Sequence, residues 1–585
     1  MGQFFKTVLA VILGLLLFTF IGFFMLIGVV ASASKEKKVE ISSNSILFLD
    51  LNYEIMEQTK EGALDYMDLT SITKKSFGLT DLTKAIAKAK TDNNIKGIYI
   101  PLGSYSNGMA STEVLRDALI DFKKSGKFVL SYGDVATQKS YYLASVSDKI
   151  YMNPKGFIEL AGFGTRLTFY KGLLDKIGIE VQAFHRGKFK SAFDPFVRTD
   201  ISESNRQQIT ELLSDVYAHF LTEVSKSRNI DPSSLNMYID SLMIQNPRDA
   251  YNYKMIDGLK YYDEVLAELA EKSGIAKDAK VNFVKMKDYI ETATPSMEIL
   301  SGSQIAVIYA QGNIVDGQGD DENIGGDKYA AIIRKLRTDD DVKAIVLRIN
   351  SGGGSALASE IIWREVALAK KKKPFIISFG DVAASGGYYI ASPGDRIFAQ
   401  PNTITGSIGV FGLIPNAQGL FADKLGITFD EVKITKHSVT NLGVKPLDEF
   451  ESKVIQRNID STYETFLTRV ATGRHQSFED IENKAEGRVW SGVQAIKIGL
   501  VDQIGGLNDA INYAANKANI KDYKVSEYPK EKALIDRVLD GFNENQETKI
   551  LEKEFGTQYK QVMQLKDLIQ TRSIQARMPY IMEIE

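Results

Sequence analysis

The 585-residue sequence contains no cysteine. No disulfide, zinc–thiolate site, iron–sulfur cluster or cysteine nucleophile is therefore available to it, and the absence fits an oxidising compartment. Histidine is nearly as scarce, with only His185, His219, His437 and His475, which argues against a multi-histidine metal centre. No metal or other cofactor is expected. Excess charge is missing too. The 71 basic and 74 acidic side chains leave a formal charge of −3, so no global basic field is present to hold nucleic acid. What remains is ordinary globular composition, 44% hydrophobic and 25% charged, which excludes a disordered, collagen-like or small disulfide-stapled chain. At about 150 residues per domain, the length amounts to about four domains.

Charge is absent altogether from Val8 to Ala31, a run of 24 positions. As a helix rising about 1.5 Å per residue, it can cross a hydrocarbon core of about 30 Å with some tilt. A cleaved signal peptide is the rival reading, because Ala31-Ser32-Ala33 resembles a small-residue cleavage site. Signal-peptide apolar regions are shorter, about 7–15 residues, so an uncleaved single anchor is expected. Lys6 precedes the run, and Lys35, Lys37 and Lys38 follow it, so flanking charge does not fix its direction.

The rest of the chain repeats itself. Gly133-Asp134-Val135-Ala136 recurs as Gly380-Asp381-Val382-Ala383, and Tyr141-Tyr142-Leu143-Ala144-Ser145 as Tyr388-Tyr389-Ile390-Ala391-Ser392, both 247 positions later. Thr91, Lys96, Glu113 and Pro154 match Thr338, Lys343, Glu360 and Pro401 at the same offset. Farther on, Asp175-Lys176-Ile177-Gly178 matches Asp423-Lys424-Leu425-Gly426, and Tyr217, Phe220, Leu221 and Val224 match Tyr463, Phe466, Leu467 and Val470. A collinear series at nearly constant spacing is a tandem duplication. It divides the chain into an anchor (1–40), a first repeat (41–295), a second repeat (296–530) and a C-terminal tail (531–585).

Each repeat reads as α/β. The β-branched runs Ile95 to Ile100 and Val342 to Ile349 suit strands buried on both faces. Helical stretches follow at Thr112 to Lys124 and Ala358 to Lys371, then apolar strands at Phe128 to Ser131 and Phe375 to Phe379. A Gly-Asp turn and another helix are expected next. Strand–helix order of this kind predicts parallel βαβ units. In the tail, Leu551, Phe555, Tyr559, Val562 and Leu565 have helical spacing; the helix packs on its own domain or makes an oligomer contact.

Chemistry is sought where the repeats differ. The second has Asn350-Ser351-Gly352-Gly353-Gly354-Ser355 where the first has Gly103-Ser104-Tyr105-Ser106-Asn107-Gly108. Successive glycines let backbone N–H groups approach an oxyanion or phosphate, or merely make a flexible turn. The loop lacks the P-loop lysine pattern and the dinucleotide fingerprint. The second repeat also reads Asp381-Val382-Ala383-Ala384-Ser385-Gly386-Gly387, placing Ser385 opposite Gln138. There a strand is expected to turn into a helix whose positive end stabilises negative charge, although Ala-Ser-Gly-Gly also permits close helix packing.

A nucleophilic serine needs a base, and no histidine stands in a triad spacing. Basic residues concentrate in the first repeat, His185-Arg186-Gly187-Lys188-Phe189-Lys190-Ser191-Ala192. On a strand, Arg186, Lys188 and Lys190 would share one face, commonly a solvated one. A catalytic lysine must be neutral, its pKa lowered from about 10.4 by an apolar pocket. Spacing does not say which lysine that is.

At these residues the chain resembles the bacterial signal peptide peptidases of the long, duplicated type, also called protease IV. The resemblance spans nearly the whole chain, through Thr405-Gly406-Ser407-Ile408-Gly409, Lys190-Ser191-Ala192, Asp194-Pro195-Phe196 and the Ala576-Arg577-Met578-Pro579-Tyr580 ending. It implies a Clp protease/crotonase-like fold and a Ser-Lys dyad. Ser385 would be the nucleophile, Lys190 the general base and Ser407 the residue orienting the lysine. The N–H groups of Gly353 and Gly386 would bind the oxyanion. The family's Ser-Pro-Gly-Gly loop here reads Ser351-Gly352-Gly353-Gly354, and loss of the proline should loosen it. The resemblance also implies remnant signal peptides as substrates, a homotetramer, and a single-pass inner-membrane protein whose catalytic portion faces the periplasm. Two other readings stand beside it: a crotonase-like acyl-thioester enzyme using the glycine loop alone, and a non-catalytic membrane scaffold.

Overall fold

The computed structural model describes residues 2–33, 41–59, 76–276, 279–293, 302–439, 443–530 and 574–578. The β-branched runs form the inner strands of two parallel sheets. In the first repeat the spatial order is Gly258–Leu259, Lys149–Ile158, Phe128–Ala136, Ile95–Pro101, Ser45–Phe48, Phe283–Lys285, every neighbour parallel. The second repeats it strand for strand with Gln503–Ile504, Arg396–Ala399, Phe375–Ala384, Val342–Ser351, Gln304–Gln311 and Lys524–Tyr528, again all parallel.

Helices on both faces explain why these strands are apolar on both sides. Ile345, Leu347, Phe375 and Ile377 pack into one core, whereas Ala344, Val346 and Ile376 pack into another on the opposite face. Each such large side chain contributes about 1.5–3 kcal/mol on burial. The helices match in length as well: Met109–Lys123 and Ala356–Lys370 have 15 residues each, and Glu203–Arg228 and Glu449–Arg474 have 26. Asp448 and Glu451 form a capping box that starts the last of these. It stops where His475 turns left-handed, as its counterpart stops at Asn229.

The expected Gly-Asp turns are not turns. Gly133-Asp134 and Gly380-Asp381 lie inside the strands Phe128–Ala136 and Phe375–Ala384. Asp381 instead reaches across to the first repeat, where its carboxylate accepts from the Ser111 N–H at 2.8 Å and from the Ser111 hydroxyl. It thereby caps the helix Met109–Lys123, whose own N-cap is a glycine without a side chain to offer. Buried Arg348 similarly pairs with buried Glu57 at 2.8 Å. A third sheet spans the repeats, with Glu180–Arg186 antiparallel to Val410–Asn416 from Arg186↔Val410 to Glu180↔Asn416.

The N-terminal helix runs Gly2–Ala33 and so encloses the uncharged segment. Its stretch Gly2–Ile21 is long and apolar enough to cross a membrane. The expected tail helix through Leu551 and Leu565 lies outside the described residues.

Candidate functional site

Ser385 sits between the strand Phe375–Ala384 and the helix Gly386–Ala391, with φ 54° and ψ −115°. A non-glycine residue at positive φ is strained, and here it is held by the Ser385 N–H bond to the Gly406 carbonyl at 2.8 Å. The expected strand-to-helix position is therefore observed, as a sharp elbow. Gly386 opens the helix, so its N–H has no acceptor within it. In the first repeat, the Gln138 amide is bonded to both backbone polar atoms of Gly162, at 3.0 and 3.1 Å, and the hydroxyl of Thr137 at that elbow is bonded to the Ser140 N–H and the Gly103 carbonyl.

Lys190 arrives from the other repeat. The strand Glu180–Arg186 ends before it, and Gly187 at φ 111° turns the chain. Arg186, Lys188 and Lys190 consequently do not share a face: Arg186 and Lys188 are exposed, while Lys190 is 1% exposed. Its Nζ lies 2.8 Å from Ser385 Oγ, 3.1 Å from Ser407 Oγ and 3.3 Å from the Ser407 carbonyl oxygen. Ser385 and Ser407 are fully buried. Among the described residues no carboxylate pairs with Lys190, and burial alone holds its amine well below the ordinary lysine range. Ser407 shares the elbow's strain at φ 49°, its N–H donating to the Arg488 carbonyl at 2.7 Å.

The glycine loop closes the other side. Gly353 has φ 95°, and a Cβ there would stand 2.6 Å from the Gly386 nitrogen and 2.1 Å from the Ala576 oxygen. Only glycine fits. The Gly353 N–H donates to Ser351 Oγ at 3.1 Å. Gly352 does not leave the loop free, because its carbonyl accepts from the Met578 N–H at 2.6 Å.

The sequence reading missed what lies on this loop. The chain's own segment Gln575–Arg577 runs antiparallel to Gly353–Ser355 and also pairs with Phe411. Beyond it, Met578 packs against Leu212, Ala384, Ile404 and Val489, next to Ser385 and drawn from both repeats. The motif Ala576 to Tyr580 marked the segment but not its place. His437, Asp448 and Glu451 converge elsewhere on the surface, where the two carboxylates are occupied in capping.

Comparisons agree with this architecture. The model of peptidase family S49 matches twice, at residues 121–276 and 367–521. Protease 4 of Salmonella typhi is 35% identical over 517 residues, covering 86% of this chain and 83% of the relative. Protease 4 of Haemophilus influenzae is 33% identical over 86% of this chain and 84% of its own. The chloroplastic serine protease SPPA of Arabidopsis thaliana is 32% identical over 82% of this chain and 70% of its own. With two S49 regions, and relatives alike along most of its length, the chain belongs to peptidase family S49 and is a serine peptidase, a hydrolase of peptide bonds.

Proposed function

We propose that Ser385 and Lys190 form the catalytic dyad of a membrane-anchored endopeptidase that degrades remnant signal peptides and other apolar peptides. The observation that carries this is the 2.8 Å contact between Lys190 Nζ and Ser385 Oγ, made by a buried amine with no carboxylate beside it among the described residues. Such an amine is neutral where an ordinary lysine is charged, and a neutral amine accepts the serine proton.

The Ser385 alkoxide attacks the peptide carbonyl carbon, and the carbonyl electron pair moves onto oxygen. That anion rests on N–H groups of Gly353 and Gly386. Gly353 exchanges Ser351 Oγ for the oxyanion, while Gly386 adds the positive end of its helix. The protonated Lys190 amine then gives its proton to the leaving amine, releasing the first product and an acyl-enzyme. Water repeats the cycle through the same base. Ser407 accepts from the amine and keeps its lone pair directed at Ser385.

A substrate peptide would lie extended along Gly353–Ser355 by strand pairing, in the place that Gln575–Arg577 holds. The apolar surroundings of Met578 support a preference for an apolar side chain beside the scissile bond. The exposed apolar helix Gly2–Ile21 supports a single-pass anchor, and the family resemblance supports the inner membrane, a periplasmic site and a homotetramer. The boundaries at 40, 295 and 530 fit two repeats that are each inert alone.

The test uses the full chain in detergent micelles with an apolar fluorogenic peptide. Ser385→Ala and Lys190→Ala should each lose at least about 10³-fold in kcat, and Lys188→Ala should keep most activity. Undiminished hydrolysis by either dyad variant would refute the assignment.

A further inference from the structure

The segment Ala485 to Trp490 supplies no member of the Ser385–Lys190–Ser407 cluster, yet its backbone touches both halves of the site. Glu486 and Gly487 are successive left-handed residues, at φ 51° and 75°. The Glu486 carbonyl accepts from the Phe189 N–H at 2.7 Å, and its carboxylate accepts from the Lys188 N–H at 2.7 Å. On the opposite side, the Gly487 N–H donates to the Ile408 carbonyl at 2.9 Å, and the Arg488 carbonyl accepts from the Ser407 N–H at 2.7 Å. One short turn is thus bonded to the residues just before Lys190 and to Ser407 with its neighbour.

The turn seats closely enough to gauge distance. A Cβ on Gly487 would stand 2.6 Å from both Lys190 Cβ and Lys190 N, and one on Gly409 would stand 2.8 Å from Gly487 Cα. A Cβ on Gly187 would meet the Glu486 carbonyl carbon at 2.6 Å. Three backbones therefore meet where none has room for a side chain. Arg488 fastens the turn from outside through an ion pair with Glu211, its guanidinium over the rings of Phe189 and Trp490 at 5.0 and 4.3 Å.

We infer that Glu486 and Gly487 are positioning residues: they hold the Lys190 turn at the distance from Ser385 and Ser407 at which its amine can take the serine proton. The inference rests on the Ser385–Lys190 reading. Proton transfer needs hydrogen-bond reach, and a misplacement of about 1 Å costs on the order of 10²-fold in rate. The strand Glu180–Arg186 ends before Lys190, so its pairing does not set that distance, whereas the Glu486 bonds act on the two residues immediately preceding it.

The experiment compares Glu486→Ala, Glu486→Gln and Gly487→Ala in the full chain, with Ser385→Ala and Lys190→Ala alongside and peptide hydrolysis resolved into kcat and KM. Glu486→Ala and Gly487→Ala should lose about 10–100-fold in kcat with KM changed less than about threefold. Glu486→Gln keeps an acceptor oxygen for the Lys188 N–H and should restore the parental kcat within about threefold. Parental kcat in both alanine variants, a loss confined to KM, or equal loss in Glu486→Gln would overturn the inference while inactive dyad variants leave the dyad standing. Full activity in Ser385→Ala or Lys190→Ala would instead refute the dyad reading itself. Glu486 lies at the surface edge of its turn, so its two variants give a result even if Gly487→Ala fails to fold.

Discussion

Lys190 and Ser385 stand 195 positions apart in the chain, in different copies of one duplicated unit, and their side chains meet at 2.8 Å. The strand before the lysine pairs with Val410–Asn416 of the other copy, which brings the turn that follows it to the serine's side without fixing the final distance.

The pH dependence of hydrolysis follows from this burial. Burial holds the Lys190 amine well below its ordinary range, and on the Ser385–Lys190 reading this amine works only when neutral. The value of kcat/KM should rise with pH along one acid limb whose midpoint lies well below 10 and flatten above it. A midpoint near the free-lysine value of about 10.4 would contradict a lysine base.

The same burial costs stability, and the sign can be worked out. Unfolded chain holds the lysine proton up to about pH 10.4, whereas the folded chain releases it earlier. Between the two values the unfolded state binds more protons, so stability rises with pH across that window; below it the full penalty applies. Lys190→Met should therefore be inactive yet melt at a higher temperature at pH 7, with the advantage shrinking towards pH 10. Calorimetry at the two pH values checks this.

Ser407→Ala removes the 3.1 Å hydroxyl contact but leaves the Ser407 carbonyl at 3.3 Å from the amine. A fall of about 10–100-fold in kcat with little change in KM is expected. Parental kcat would show that the hydroxyl does not orient the lysine.

Met578→Asp would set a carboxylate among Leu212, Ala384, Ile404 and Val489, an unpaired burial costing several kcal/mol. The segment Gln575–Arg577 should then leave the glycine loop. Labelling of Ser385 by a small fluorophosphonate should quicken, and KM for an apolar peptide should fall. Labelling at the parental rate would show that the segment does not obstruct entry.

Glu57→Ala would strand the Arg348 guanidinium, which is 2% exposed and otherwise bonded to Ser378 and the Phe379 carbonyl. Loss of one member of a buried pair costs about 3–5 kcal/mol, readable by denaturant unfolding. A smaller loss in Glu57→Gln would separate charge from hydrogen bonding.

The repeat, the parallel strands and the Ser385 elbow were legible because each is local or recurs at a fixed offset. The strand boundaries erred where a Gly-Asp pair mimics a turn: in Gly380-Asp381 the aspartate caps a helix 270 positions away in sequence, which no local signal carries. Lys188 and Lys190 are indistinguishable by spacing, and the resemblance selected between them. Gly187 decides the matter physically by ending the strand, so that alternation of faces no longer applies. The Glu486 turn was invisible because its carboxylate bonds a backbone N–H 298 positions away in the chain, which again no local signal carries.

Placement of Lys190 and Ser385 in different copies also orders events in time. A ribosome completes Lys190 before it begins the second repeat, and the first copy offers Gln138 where a nucleophile would stand. On the Ser385–Lys190 reading, no growing chain holds both members of the dyad before Ser385 has been made. Proteolytic competence therefore waits on the second repeat, whose Val410–Asn416 strand pairs with Glu180–Arg186 in the folded chain.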